Sequence, residues 1–200
     1  MTSGNDSQKQ NAQQNWKKSV IAYLHDLIYM LMAILLVFLL VFRVIVVSGD
    51  SMYSTLLDGD YLLLLGNLFY QEPEQGDIVV ISKQAFENGK PIVKRVIATE
   101  GQTVNLIDGE VYVDGAVIAE PYINTDTYPY GSNGTIFPLT VAENCIFVLG
   151  DNRGVSRDSR DPVIGQVDSR EVLGKAIFLM LPGTSHGDLP RDTERIGVIE

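Results

Sequence analysis

Sixteen consecutive residues, Leu27 to Phe42, carry no charge. Leu, Ile, Val, Met and Phe fill nearly all of them, so any helix they form is apolar on every side. A soluble surface helix has one apolar face only. Ile21, Ala22, Tyr23 and Leu24 lengthen the run, broken only by His25 and Asp26. Residues 21 to 42 are 22 positions, about 33 Å of helix at ~1.5 Å per residue, enough to cross a bilayer. No small-x-small cleavage pattern follows before Ser48. The run also exceeds the apolar region of a secretory signal, so residues 21–43 read as a retained transmembrane helix.

Flanking charge gives the orientation. Lys9, Lys17 and Lys18 precede the span, and only Arg43 closely follows it. Positive-inside counting puts the N-terminus in the cytoplasm and the chain after Arg43 outside. The chain is thus expected to be a single-pass protein of the cell membrane, with the bilayer as one partner. Residues 1–20, polar and rich in Ser, Asn and Gln to Gln14, are expected to be a disordered cytoplasmic N-terminus. His25 and Asp26 sit about one turn inside the cytoplasmic edge and read as edge residues reaching the interface rather than a proton path. After Arg43 there are 11 basic and 23 acidic residues, a formal charge of -12. That balance argues against nucleic acid as a partner, which needs clustered Lys and Arg. One cysteine, Cys145, excludes a disulfide framework, and two histidines, His25 and His186, argue against a multi-histidine metal site. No metal and no cofactor are expected.

Beyond Arg43 short apolar runs alternate with turn signals. Val44–Val47, Tyr61–Leu65, Asp77–Ile81, Ile92–Ile97, Thr103–Ile107, Val111–Val113, Cys145–Leu149 and Ala176–Met180 are predicted strands. Asp58-Gly59-Asp60, Gln75-Gly76-Asp77, Asp108-Gly109 and Asp114-Gly115 separate them, and Asp108-Gly109-Glu110 marks a hairpin. The class is mainly β: an antiparallel β-sheet domain with a small β/loop insert, behind one N-terminal transmembrane helix. The expected layout is a β core of 44–102 and 143–181, an inserted β/loop subdomain of 103–142, and a loose C-terminal tail of 182–200.

Three segments carry the residue types that chemistry needs. Ser48-Gly49-Asp50-Ser51-Met52 closely follows the span. Glycine beside serine lets the backbone turn sharply and present the Ser51 hydroxyl among N–H groups that can face a carbonyl oxygen. Ile92-Val93-Lys94-Arg95-Val96-Ile97 reads as a strand that sets Lys94 on one face with Ile92 and Val96. Desolvation there lowers a lysine pKa from about 10.4; a drop of about two to three units makes the amine a usable base near neutral pH. Gly150 to Asp161 is dense in Asp, Arg, Asn and Ser, which suits a fixed ion-pair network. From the pattern alone each has a plainer alternative: an ordinary Ser/Gly loop, a snorkelling edge lysine, a solvated turn. A Ser-His-Asp triad is disfavoured, because His25 lies on the cytoplasmic side and His186 in the polar tail. If Ser51 is a nucleophile, its base is therefore a lysine. Of Lys83, Lys90, Lys94 and Lys175, only Lys94 is central to an apolar strand pattern.

With these residues the chain resembles the type I signal peptidases, in their single-span, Gram-positive-like form. Ser51-Met52 with Thr55-Leu56 and Gly59-Asp60 resembles the family's nucleophile box, and Gly76 to Val80 its next strand. Lys94-Arg95-Val96-Ile97 with Gly101 resembles the general-base box, and Glu120-Pro121-Tyr122 a segment of shorter members. Phe147 to Arg153 with Ser156, Asp158, Ser159 and Arg160 is the most specific element, and Gly174-Lys175-Ala176 continues the order. The resemblance implies a membrane-anchored Ser-Lys endopeptidase that removes N-terminal signal peptides from exported preproteins, after small residues at the first and third positions before the cut. It implies Ser51 as nucleophile, Lys94 as general base, Ser156 orienting the lysine by a hydrogen bond, and Asp158 with Arg160 as a supporting ion pair. The Ser51 N–H would serve the oxyanion. The substrate site would use Val47, Gly49, Met52, Leu56, Ile92 and Val93. The chain departs from the family pattern in turns. Gly49 stands where many two-span members have an oxyanion-binding serine. Ser54 replaces a usual proline, and Ala98-Thr99-Glu100-Gly101-Gln102 replaces Gly-Leu-Pro-Gly-Asp.

Ser51 lies eight residues after Arg43, a reach of at most about 26 Å. That tether holds the hydroxyl near the membrane plane, where a signal peptide's cleavage site emerges, and raises their effective concentration. The substrate is expected to bind as an added strand, alternate side chains entering pockets. A second reading, a catalytically silent membrane-anchored β-domain that binds exported chains, draws on the departures at Ser54 and Thr99-Glu100. A self-cleaving Ser-Lys repressor is disfavoured by the span and the acidic exported part.

Overall fold

The structure, a computed structural model, describes residues 3–184 and 191–199, and of residues 3–15, 17 and 18 the backbone only. The chain divides into two compact units, one ending at Val41 and the other starting at Phe42. The first is a single helix, α1 (Ser3–Val41). It starts at Ser3, where the sequence reading expected disorder through residue 20. Residues 8–18 hold four glutamines and three lysines, which tolerate a helix well, and no proline interrupts them. Within it Ser19–Val41 is long and apolar enough to cross a membrane. The helix stops at Val41 rather than residue 43, because Phe42 already pairs as a strand.

Among the described residues the second unit holds twelve strands: β1 (Phe42–Val46), β2 (Tyr61–Gly66), β3 (Ile78–Ile81), β4 (Ile92–Thr99), β5 (Thr103–Ile107), β6 (Glu110–Val113), β7 (Ala116–Val117), β8 (Leu139–Thr140), β9 (Cys145–Leu149), β10 (Val167–Asp168), β11 (Val172–Leu181) and β12 (Gly197–Val198). Eight form one antiparallel sheet in the order β1-β2-β11-β3-β4-β9-β10, with β12 pairing onto β11. β5 to β8 form a separate sheet, β7-β6-β5-β8. The insert hairpins follow from turn chemistry. Asp108 and Gly109 both have positive φ, as do Asp114 and Gly115, which is the two-residue turn that matches the twist of antiparallel strands.

β3 is buried along its length and β4 at all but its end residues, so these central strands read as continuous apolar runs rather than alternating ones. Three apolar clusters hold the unit. Val47, Met52, Leu56, Leu62, Leu64 and Ala176 belong to one. Val79, Ile81, Val96, Val148 and Ile164 belong to a second. In the third, Val104, Val111 and Val113 of the small sheet pack with Ile97, Ala98, Phe147 and Leu149 of β4 and β9. That cluster fixes the insert onto the strands that frame Lys94.

The end of the chain departs from the expected loose tail. Residues 185–190, with His186, and residue 200 lie outside the described residues. Gly197 and Val198, however, pair with Leu179 and Phe178 of β11. Ile199 supplies the reason, since it packs on the first cluster.

Candidate active site

The loop after β1 is held by its own backbone. Leu56 N–H donates to Met52 O at 2.9 Å and Tyr53 N–H to Asp50 O at 3.1 Å. Met52 and Leu56 are fully buried beneath it, so the loop is pinned by its apolar side chains while Ser51 stays half-exposed. Gly49 has φ +87°, and its N–H donates to Asp58 Oδ1 at 2.7 Å. A residue with a Cβ would be strained there.

Lys94 enters from β4, paired opposite Val79 of β3. Its Nζ lies 2.8 Å from Ser51 Oγ and donates to Val93 O at 2.9 Å. Lys94 is 2% exposed. Burial pushes its pKa down from 10.5 to about 8, against the pull of Asp158 and Asp151, while Arg160 adds to the lowering. The amine donates to both Ser51 Oγ and Val93 O; with its proton lost, the lone pair on the same nitrogen faces the Ser51 hydroxyl. Serine and lysine, 43 residues apart in sequence, thus meet through the fold.

The segment after β9 braces both. Asn152 N–H donates to Ser51 O at 3.0 Å, and its side-chain amide to Asp50 O at 3.0 Å. Gly150 has no room for a side chain, since a Cβ there would lie 2.5 Å from Ser51 O and would collide with Ser156 Oγ. Asp158 Oδ2 accepts the Gly150 N–H at 3.1 Å, and the same carboxylate pairs with Arg160 at 2.8 and 2.9 Å, all buried. Ser156 is buried, but its Oγ makes no hydrogen bond. The resemblance implied a bond from Ser156 to Lys94; the structure instead turns the hydroxyl against Gly150.

The sequence reading left out a second bracing pair. Asp151, fully buried, takes Arg95 at both oxygens, 3.0 and 2.9 Å, and the Thr55 hydroxyl at 2.5 Å. Arg95 also stacks on Tyr122, 3.9 Å from the ring centroid. Arg153 reaches Glu120 and Thr127. Both contacts tie the insert to residues adjoining the Ser-Lys pair. The signal was present in the Asp/Arg density of residues 150–161, and in Arg95 standing next to Lys94 on a strand.

A cavity of about 300 Å³ opens beside Ser51. Ile45, Val46, Val47, Ser48, Pro91, Ile92 and Val93 line it, with Lys90 at the same wall. Val47, Ile92 and Val93 were expected there. Met52 and Leu56 do not line it; they face the core. Gly49 is exposed next to the lining residue Ser48.

Residues 20–181 match the family described as signal peptidase, peptidase S26. The chain belongs to this family. Signal peptidase I of Bacillus licheniformis is 33% identical over 188 residues, covering 91% of this chain and 96% of that protein. Signal peptidase I T of Bacillus subtilis (strain 168) is 32% identical over 181 residues, covering 86% and 92%. A crystal structure of a signal peptidase I from Enterococcus faecalis V583 aligns at 30% identity over 52% of this chain and 96% of that one, with a TM-score of 0.41. As an S26 family member this chain is a peptidase, a hydrolase.

Proposed function

We propose that this chain is a membrane-anchored Ser-Lys endopeptidase that removes N-terminal signal peptides from exported preproteins. The 2.8 Å approach of a buried Lys94 amine to Ser51 Oγ carries this reading. Neutral Lys94 takes the hydroxyl proton as Ser51 Oγ attacks the scissile carbonyl. The resulting ammonium protonates the leaving amine, which departs as the mature chain's new N-terminus. Lys94, neutral again, draws a proton from water, the hydroxide attacks the ester, and the signal peptide leaves with a free carboxylate. The N–H groups of Gly49, Tyr53, Leu56 and Leu57 are engaged within the loop. The Ser51 N–H, beside the attacking hydroxyl, serves the oxyanion, as the family resemblance implies.

Small side chains at the first and third positions before the cut are the preference that the family resemblance implies, and the apolar cavity beside Ser51 is where they enter. Substrate lies extended along residues 45–48 and 91–93, so that alternate side chains enter it. The N-terminus is cytoplasmic and the β unit extracytoplasmic. That orientation rests on the lysines before the span, and it puts Ser51 on the side where a signal peptide's cleavage site emerges.

Incubating the full chain in lipid with a preprotein tests the assignment. Cleavage after the small residue by the parent, lost in both Ser51→Ala and Lys94→Ala, supports it. Cleavage that survives in either variant overturns the dyad, and a parent inactive on preproteins leaves the silent binding domain as the better account.

A further inference from the structure

The family match ends at residue 181, yet the chain returns to the Ser51 loop beyond it. Arg195 sits between residues 191 and 199 and reaches Asp60, the last residue of that loop. Its Nη2 lies 2.7 Å from Asp60 Oδ2 and its Nη1 3.1 Å from Oδ1. The same Nη2 donates to Thr55 O at 3.2 Å. Asp60 is fully buried, and its carboxylate also accepts the N–H of Leu57 at 2.8 Å and of Gly183 at 2.6 Å. Its backbone closes the loop, because Val47 N–H donates to Asp60 O at 2.8 Å.

We propose that residues 191–199 clasp the loop 51–60 and that Arg195 is a positioning residue for Ser51. The proposal rests on the reading of Ser51 as nucleophile. Two features independent of Arg195 support the clasp. β12 pairs with Leu179 and Phe178, which fixes the segment to the sheet. Ile199 packs on the cluster that contains Met52 and Leu56, the side chains flooring the loop. Thr55 is therefore gripped twice: by Arg195 at its carbonyl and by Asp151 at its hydroxyl. Without Arg195 the buried Asp60 carboxylate loses its counter-charge. A bare buried charge is costly, so the loop shifts to relieve it, and small displacements of a reacting group reduce rate steeply.

The polar partners of Arg195, Asp60 and Thr55, do not line the cavity beside Ser51. Its loss therefore lowers kcat and spares KM. The experiment measures preprotein cleavage by the full chain as parent, Arg195→Ala, Arg195→Lys and Ser51→Ala, with thermal melting of each giving the folded fraction. For Arg195→Ala the expected result is a kcat per folded molecule about tenfold below the parent, with KM within about twofold. Arg195→Lys keeps the charge but cannot span Asp60 and Thr55 together, so its kcat per folded molecule recovers only to about threefold below the parent's. Three results overturn the clasp: an unchanged kcat per folded molecule in Arg195→Ala, a loss confined to KM, or no recovery in Arg195→Lys. Should Arg195→Ala not fold, Arg195→Lys decides alone, and a kcat per folded molecule equal to the parent's overturns the clasp. An active Ser51→Ala would instead overturn the nucleophile reading beneath it; an inactive Ser51→Ala with unaffected Arg195 variants overturns the clasp alone.

Discussion

Replacing Lys94 by methionine keeps a linear side chain of similar bulk in the same buried channel and removes the titrating nitrogen. Lys94 is 2% exposed, and burial lowers its pKa from 10.5 to about 8. The folded protein therefore binds this proton less tightly than the unfolded chain does. Below about pH 8 both states are protonated, and the fold carries the full penalty of a buried charge. Between about 8 and 10.5 the folded state has released the proton and the unfolded state has not, so stability rises with pH. At about 1.36 kcal/mol per pH unit the whole penalty is on the order of 3 kcal/mol, most of which is relieved between about pH 7 and pH 10. Urea unfolding of parent and Lys94→Met at those two pH values measures it, because every other titrating group is common to both proteins. The stability difference between them should change by on the order of 2 to 3 kcal/mol, moving in the parent's favour at the higher pH. Loss of the contacts to Ser51 and Val93 offsets both values equally, by about 1 kcal/mol each. A difference that is the same at both pH values would refute the claim that burial holds this amine near neutrality.

Two further substitutions test the frame and the groove. Gly150→Ala drives a Cβ to 2.5 Å from Ser51 O; it should cost about 3 kcal/mol in urea unfolding and lower kcat by about a hundredfold. Ile92→Trp places an indole in the cavity of about 300 Å³. Steady-state kinetics should show KM raised about tenfold, and the half-buried site should leave the melting temperature close to the parent's.

Much of the β unit was legible because its strands are long apolar runs bounded by Asp-Gly turns. β5, β6 and β9 fall within a residue of the expected bounds. The two-residue strands β7, β8, β10 and β12 were not legible, since so short a run has no period to read. β11 begins at Val172, four residues before the expected Ala176, because Gly174 and Lys175 interrupt the apolar signal while still pairing with β2 and β3. Lys94 stood out by its β-branched neighbours, but its approach to Ser51 is set by the pairing of β3 with β4 and of β4 with β9, which sequence spacing does not encode. Met52 and Leu56 were groove residues by the family resemblance alone; the loop turns them inward. Arg195 carried no signal at all, being one arginine in a polar stretch whose partner lies 135 residues away.

The pH dependence of kcat/KM for preprotein cleavage bears most directly on the Ser51–Lys94 pair, because it reports the essential base of the free enzyme. The account expects activity to rise with pH through a midpoint near 8, the value that burial sets for Lys94. A midpoint near about 10.4, as for a solvated lysine, or near about 6.5, as for a histidine, would contradict it.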